Sequence, residues 1–260
     1  MSVSVISVVT GAASAIGMRI ASELTSRGSI VVGIDSLPID GEFAETMNAD
    51  ITNEQDVASA AALVASRYDH VDHLVHAAAV TAHTPRIDVV ADLINIDLGV
   101  WRRILDVNVT GALICVQRFA DLMKRASAPR VLLIGSIQGL VPTVGTGGYG
   151  VSKVALIGLT RQLAAELATD GIAVNMLSLG PISDADTLKA PPAQGPTPMG
   201  RFGEPVEVAR AAVALVYDSF SYMTGAIVPL DGGEHLRPRR NPVRVLDDAA
   251  SLSGAIDGEQ

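Results

Sequence analysis

A tyrosine and a lysine stand four positions apart in the segment YGVSK, residues 149–153. On a helix this step puts Tyr149 and Lys153 on one face, where the ammonium group favours the phenolate form of the tyrosine. A phenol has an unperturbed pKa of about 10, and a shift toward the working pH makes it a usable general acid or base. The five residues alone are equally compatible with an ordinary helical turn, so the rest of the chain has to distinguish the two interpretations.

Two further polar residues lie upstream of this pair. Ser136 ends the apolar run RVLLIGS, and Asn108 lies inside a long helical segment in DVNVTG. When an alcohol and a ketone interconvert, a hydride leaves or joins the carbon while a proton leaves or joins its oxygen. A serine hydroxyl beside a tuned tyrosine suits the oxygen side of that reaction. The alternative is that all four residues are ordinary surface, strand-end and helix positions.

The elements that must position these residues alternate along the chain. Continuous apolar strands separated by Ala- and Leu-rich helices are typical of a parallel sheet covered on both faces, and right-handed crossovers make it doubly wound. The predicted fold is therefore α/β, a doubly wound parallel β-sheet (Rossmann fold) in a single domain over residues 1–233, with a tail at 234–260. The predicted strands cover 3–9, 29–34, 46–49, 72–77, 130–136, 172–178 and 226–230, and the predicted helices 15–27, 54–67, 99–125, 149–169 and 204–218.

The segment VVTGAASAIG joins the first predicted strand to the first helix. Gly11 and Gly17 suit a tight turn and a close approach of the backbone to a phosphate at the helix N-terminus. Asp35 ends the second strand, where its carboxylate can accept hydrogen bonds from the adenosine ribose and repel a 2′-phosphate. Neither Ser14 nor Ser36 is basic. The sequence therefore predicts NAD(H) rather than NADP(H), although a solvated turn residue at Asp35 is the alternative.

The chain resembles the short-chain dehydrogenase/reductase family, classical type, from about residue 3 to 233. The resemblance rests on the loop pattern TGxxxGxG and on the order and types of four residues. It implies a catalytic tetrad of Asn108, Ser136, Tyr149 and Lys153, in which Tyr149 is the general acid/base and Ser136 orients the substrate oxygen. Lys153 would also hold a ribose hydroxyl. Asn108 would anchor a water that relays protons to Lys153, and its side chain would interrupt the helix locally. The implied cofactor residues are Thr10, Gly11, Ser14, Ala15, Ile16, Gly17, Asp35, Asp50, Ile51, Ala77, Ala78, Tyr149, Lys153, Gly180 and Ile182.

Three departures from the family pattern affect the cofactor end. Ala15 stands where the loop usually has its middle glycine, and His76-Ala77-Ala78-Ala79 replaces Asn-Asn-Ala-Gly. We interpret His76 as a structural histidine with its hydrogen bonds satisfied. Asp184 stands where a threonine usually follows the last cofactor loop, and the nearby Thr187 is a possible substitute.

The composition excludes several classes of function. The net charge of −9 is atypical of a nucleic-acid binder. No apolar run reaches the length of a membrane span, and the N-terminus is typical of a strand rather than a signal peptide. No Cys/His cluster has metal-ligand spacing. The single cysteine, Cys115, is predicted to lie in the core and suits a reducing cytoplasm.

The segment 183–200 is expected to form a short substrate lid, because its prolines oppose a long helix. It offers little positive charge, which favours a small or medium, mostly neutral alcohol or ketone. The residues expected to line the pocket are Gln138, Leu140, Val141, Val144 and Thr146. By resemblance, helices 99–125 and 149–169 would form a homotetramer or homodimer, and the arginine-rich tail is either an interface arm or a solvated end.

The first hypothesis is an NAD(H)-dependent alcohol dehydrogenase or ketoreductase. The tyrosine–lysine spacing is closer than in the enoyl-reductase branch of the family. A dinucleotide-binding scaffold or sensor with little catalysis is the second hypothesis, suggested by the departures at the cofactor end. A cis-diol dehydrogenase is a substrate variant of the first.

Overall fold

A computed structural model describes residues 4–41, 43–81, 92–183, 197–217 and 220–236. The strands within these ranges are β1 (Ile6–Thr10), β2 (Ile30–Asp35), β3 (Glu45–Asn48), β4 (His73–His76), β5 (Arg130–Ser136), β6 (Ala173–Leu179) and β7 (Ile227–Leu230). The α-helices are α1 (Ala15–Ser26), α2 (Glu54–Arg67), α3 (Leu98–Leu105), α4 (Gly111–Met123), α5 (Gly147–Leu167) and α6 (Pro205–Tyr217).

All seven strands pair in parallel in one sheet, in the order β3-β2-β1-β4-β5-β6-β7. The strand order reverses between β1 and β4, where Thr10 pairs with His76. A crevice opens beyond the carboxyl ends of the strands at such a switch point. The predicted doubly wound α/β fold is confirmed, and the segments expected to bind a dinucleotide lie at this end of the sheet.

Helices cover both faces of the sheet, which explains the uninterrupted apolar strands. On one face, Ile20 and Leu24 of α1 and Val213 of α6 pack with Val9 and Leu132. The opposite face carries a larger apolar cluster from α2, α4 and α5, which includes Val64, Phe119 and Leu156. The buried sheet fixes the strand ends, so the side chains that follow each strand have a rigid base.

The segment predicted as one helix over 99–125 is helical from Leu98 to Met123 but changes its helix type along the way. It consists of α3, a π-helical turn over Asp106–Thr110 and α4. The predicted long helix is therefore present over most of its length, and it contains the local interruption expected at Asn108. Its cause is visible, since the Asn108 side chain leaves the helix surface to bond a neighbouring loop. Such π-turns occur frequently at functional sites.

Most of the predicted lid and tail lie outside the described residues. These include Asp184 and Thr187, and all of the tail beyond the short 3₁₀ turn Glu234–Leu236. Within the described ranges, no helix is long and apolar enough to cross a membrane. The same residues contain no group of three or more acidic, His or Cys side chains suited to a metal ion.

Candidate active site

The glycine-rich turn between β1 and α1 leaves no room for side chains. Gly11 has a φ of +70°, and a Cβ there would lie 2.5 Å from the backbone nitrogen of Ala78. At Gly17 a Cβ would lie 2.1 Å from the carbonyl oxygen of Gly11. The backbone of the turn therefore packs directly against the backbone of the loop after β4. This cradle fits the close approach that a dinucleotide phosphate requires.

Ser14 closes the turn and starts the helix. Its hydroxyl donates to the Gly11 carbonyl at 2.7 Å and accepts from the Gly17 amide at 3.0 Å. Ala15 and Ile16 follow as the first two residues of α1, where backbone N–H groups have no acceptor within their own helix. A residue with a Cβ is unstrained in this helical conformation, so Ala15 departs from the family pattern without disturbing the turn. Two amides at a helix N-terminus can bind an anion.

Asp35 lies at the carboxyl end of β2 and is joined to the same turn. Its Oδ2 accepts from the Ala13 amide at 3.0 Å, and its Oδ1 accepts from the Leu37 amide at 2.9 Å. Both bonds hold the carboxylate at the rim of the cleft that Asp35 lines with Ser36 and Leu37. The carboxylate retains lone pairs for further donors.

Arg103 is a cleft residue that sequence reasoning missed. Its guanidinium donates to the Thr52 hydroxyl at 3.0 Å and to Oδ2 of Asp50 at 3.2 Å. The hydrogen bonds from Thr52 and the charge of Arg103 outweigh burial and lower the pKa of Asp50. Asp50, Ile51 and Arg103 together line one end of the cleft. Nothing in the sequence distinguishes Arg103 from its neighbour Arg102, because only the tertiary fold brings α3 beside the loop after β3.

Tyr149, Lys153 and Ser136 meet at the other end of the same cleft. Tyr149 and Lys153 lie one turn apart near the start of α5, and the Lys153 ammonium is 5.3 Å from the centroid of the tyrosine ring. Lys153 is buried and donates to the Ile134 carbonyl at 3.2 Å. Ser136 ends β5, and its hydroxyl oxygen accepts from the Gln138 amide at 3.2 Å. The predicted spacing thus produces a convergent set of polar groups.

Burial dominates the electrostatics of this set. It lowers the pKa of Lys153 to about 8. It raises the pKa of Tyr149, and the neighbouring Ser136 hydroxyl opposes that rise. The protein alone therefore does not produce the lowered tyrosine pKa that we expected from Lys153. A lowering would require further positive charge beside the phenol.

Asn108 joins three segments behind the tyrosine. Its Oδ1 accepts from the Val80 amide at 2.7 Å, and its Nδ2 donates to the Val80 carbonyl at 3.1 Å and to the Ser152 hydroxyl at 3.0 Å. Ser152 in turn donates to the Tyr149 carbonyl at 2.6 Å. Both amide hydrogens of Asn108 are used in this network. The side chain therefore positions α5 against the loop after β4.

His76 replaces the first asparagine of the family pattern and is buried at the end of β4. Its Nδ1 lies 2.9 Å from the Thr10 hydroxyl, which ties β4 to β1. Its Nε2 is buried with no hydrogen-bond partner in the described structure. Burial, together with the charge of Lys153, lowers the pKa of His76 to about 3. The expectation of a fully satisfied histidine is therefore met at one nitrogen only.

The loop after β6 supplies the last predicted cofactor residues. A Cβ on Gly180 would lie 2.6 Å from the Cα of Asp231, so two backbones pass closely here. Ile182 pairs with Gly203 in a parallel bridge. Because the adjoining Pro181 carbonyl and Ser183 amide are the groups that bond Gly203, the N–H and C=O of Ile182 point away from it. Ile182 also lines the cleft.

One cleft of about 760 Å³ contains nearly all of the predicted site. Of the five residues expected in the pocket wall, Gln138 and Thr146 line the cleft. Leu140 and Val144 are exposed, and the half-buried Val141 is not among the lining residues. Glu234, which the sequence did not single out, also lines the cleft. The cleft-lining residues among the predicted site are Gly11, Ser14, Ala15, Ile16, Asp35, Asp50, Ile51, Ala77, Ala78, Ser136, Tyr149, Lys153, Gly180 and Ile182. Thr10, Gly17 and Asn108 lie directly behind this surface, where they shape it.

Comparison with known proteins matches this chain to oxidoreductases. A family model described as enoyl-(acyl carrier protein) reductase matches residues 11–235. The cis-4-hydroxycyclohexanecarboxylate dehydrogenase of Sinomonas cyclohexanicum is 32% identical over 244 residues, covering 88% of this chain and 95% of that protein. The 3-alpha-(or 20-beta)-hydroxysteroid dehydrogenase of Mycobacterium tuberculosis (strain ATCC 25618 / H37Rv) is 38% identical over 208 residues, 74% of this chain and 80% of that protein. The structure of a short-chain type dehydrogenase/reductase from Mycobacterium ulcerans has a TM-score of 0.80 and 26% identity, covering 98% of this chain and all of that one.

Proposed function

The chain belongs to the short-chain dehydrogenase/reductase family, and from this premise we propose that it is an NAD(H)-dependent oxidoreductase that interconverts a secondary alcohol and a ketone. The observation that carries the proposal is the convergence of Ser136, Tyr149 and Lys153 in one cleft with the glycine-rich turn. The four-residue step from Tyr149 to Lys153 favours carbonyl chemistry over the enoyl reduction named for the matching family model. Relatives that are dehydrogenases support the same reaction class.

The chain's own groups account for the oxygen side of the reaction. Ser136 donates to the substrate oxygen and orients it beside the Tyr149 hydroxyl. During oxidation the Tyr149 phenolate takes the alcohol proton, and during reduction the phenol returns it. Burial alone disfavours the phenolate, so the charge of Lys153 and the positive nicotinamide ring of a bound oxidised cofactor would together favour it. When bound, the nicotinamide cofactor supplies the acceptor or donor of the hydride.

The structure contains features that suit each part of such a cofactor. Gly11 and the amides of Ala15 and Ile16 would hold the pyrophosphate, and the Ile182 backbone would hold the nicotinamide amide. Asp50 and Ile51 would contact the adenine. Lys153 would hold the nicotinamide ribose.

The preference for NAD(H) rests on Asp35. Its carboxylate is fixed at the cleft rim by two backbone amides. Two vicinal ribose hydroxyls can donate to it, whereas a 2′-phosphate in the same place would meet its negative charge. The neighbouring Ser36 and Leu37 offer no compensating cation.

Two experiments test this proposal. Titration with NADH and NADPH, followed by nicotinamide fluorescence, should give tight NADH binding and weak NADPH binding. Asp35→Ala should then relax the preference, and a wild-type preference for NADPH would contradict the role of Asp35. Tyr149→Phe should abolish turnover of any accepted alcohol while NADH binding persists, and retained turnover would overturn the tyrosine mechanism.

The scaffold or sensor hypothesis is decided by the same measurements. It was motivated by Ala15, the segment 76–79 and Asp184. Ala15 is accommodated as the first residue of α1, and His76 joins β4 to β1. Binding of NADH without turnover across a panel of alcohols and ketones would favour the scaffold.

We also propose that the protein is cytoplasmic and forms a homotetramer or homodimer. Light scattering, which measures the mass of the assembly, tests the second point.

A further inference from the structure

Gln138 is held on two sides at the chemical end of the cleft. Its backbone amide donates to the Ser136 hydroxyl at 3.2 Å, which fixes it on the 3₁₀ turn Ile137–Gly139. Its side-chain oxygen lies 2.7 Å from the Thr146 hydroxyl, which is closer to it than to its other acceptor, the Thr143 carbonyl at 3.1 Å. Thr146 directly precedes α5, the helix that carries Tyr149. Gln138 is thus tied to both elements that supply the reacting groups.

The other end of this side chain is available to a ligand. Gln138 lines the cleft together with Thr146, Ser136 and Tyr149, and it is only half-buried. The Thr146 bond occupies the amide oxygen, and the NH2 group has no partner among the described residues. An NH2 group held in this way can donate to a hydroxyl or carbonyl oxygen.

The charges around the cleft indicate that the ligand oxygen bound by Gln138 belongs to a neutral group. Lys153 is bonded to the Ile134 carbonyl deep in the cleft. Arg103, the other cation among the described lining residues, is bonded to Asp50 at the opposite end. A second hydroxyl or carbonyl group therefore fits better than a carboxylate or phosphate.

We propose that Gln138 is a specificity residue that binds a second oxygen on the carbon next to the reacting one, so that the enzyme prefers vicinal diols and the matching α-hydroxy ketones to monofunctional substrates. This inference rests on the proposed function. Ser136 caps the short turn that carries Gln138 two positions later, and both residues line the same cleft, so we assign them to neighbouring substrate atoms. Thr146 acts as a positioning residue, because it fixes which end of the Gln138 amide faces the substrate.

The test compares cis-1,2-cyclohexanediol with cyclohexanol, oxidised with NAD. The wild-type ratio of kcat/KM, diol over monoalcohol, should exceed one. Gln138→Leu keeps the size of the side chain and removes the donor, so the ratio should fall by about tenfold, the usual effect of one neutral hydrogen bond. Thr146→Val should lower the ratio in the same direction, and Thr146→Ser, which keeps the hydroxyl, should preserve it.

The control is Gln55→Leu, the same substitution at an exposed position of α2, which should leave the ratio unchanged. An unchanged ratio in Gln138→Leu, or a wild-type preference for cyclohexanol, would overturn the inference. If cyclohexanol or another monoalcohol is oxidised in a Tyr149-dependent way without preference for the diol, the diol inference fails and the oxidoreductase stands. If no alcohol or ketone is turned over, both fail.

Discussion

Acidification from pH 7 to pH 5 should destabilise this protein through two histidines in the sheet. His73 and His76 are both buried in β4. Burial lowers the pKa of His73 to about 4 and that of His76 to about 3, from an ordinary value of 6.5. In the unfolded chain both imidazoles take up protons below pH 6.5, while in the folded chain they stay neutral. The unfolded state therefore binds more protons, and the free energy of unfolding falls as the pH falls.

The magnitude follows from these pKa values. At pH 5 an unfolded histidine is almost fully protonated, and each folded histidine is almost fully neutral. Proton uptake then favours unfolding by about 2 kcal/mol per histidine relative to pH 7. Together the two residues account for about 4 kcal/mol. With a urea slope of about 3 kcal/mol/M, the unfolding midpoint should fall by about 1 M.

The assay is urea unfolding at both pH values, followed by far-UV circular dichroism at one protein concentration. His73→Asn and His76→Asn should each remove about half of the pH-dependent loss. Val64→Ala is the control, because it creates a cavity without removing a titratable group and should lower stability equally at both pH values. The reasoning is refuted if either asparagine variant loses as much stability between pH 7 and pH 5 as the wild type does.

Three further substitutions test other parts of the site. Gly17→Ala should weaken NADH binding at least tenfold in a fluorescence titration, because its Cβ would lie 2.1 Å from the Gly11 carbonyl and displace the turn. Arg103→Leu should weaken binding of ADP-ribose severalfold by calorimetry, because Asp50 loses its ion pair. Asn108→Leu should lower the free energy of unfolding by about 3 kcal/mol, since three buried hydrogen bonds lose their partner.

Each of these results has a matched check. Gly158→Ala, at a helix position with open space around it, should leave NADH affinity unchanged. Arg102→Leu, at the neighbouring position, should leave ADP-ribose affinity unchanged. Wild-type NADH affinity in Gly17→Ala would contradict the proposed phosphate cradle. Wild-type ADP-ribose affinity in Arg103→Leu would contradict the proposed role of Arg103. A loss below about 1 kcal/mol in Asn108→Leu would mean that the network contributes little.

The doubly wound parallel sheet could be predicted because its strands are buried on both faces and therefore appear in the sequence as continuous apolar runs. The glycine turn and the Tyr149–Lys153 step could be predicted for a related reason, since both depend on residues close together in sequence. Ser136 and Asn108 needed the family's order as well, because they come from separate elements.

The remaining features depend on contacts between distant segments. Arg103 reaches Asp50 across 53 positions of sequence, and Asn108 reaches Val80 across 28. The π-turn could not be predicted from periodicity, because the helical pattern continues through it and only the Val80 contact explains the break. The tyrosine pKa differed from expectation for a similar reason, since burial of the phenol is a property of the fold.

Cys115 has a practical consequence for the site-specific fluorescent labelling of this protein. It is the single cysteine of the chain, it is fully buried in α4, and burial raises the pKa of its thiol to about 12. Maleimide reagents, which react with accessible thiolates, should therefore leave the native protein unlabelled. A cysteine introduced in place of Val144, which is 94% exposed near the cleft, would be the sole reactive thiol. The natural sequence is thus already suited to carry one fluorescent dye beside its cleft, without prior removal of a native cysteine.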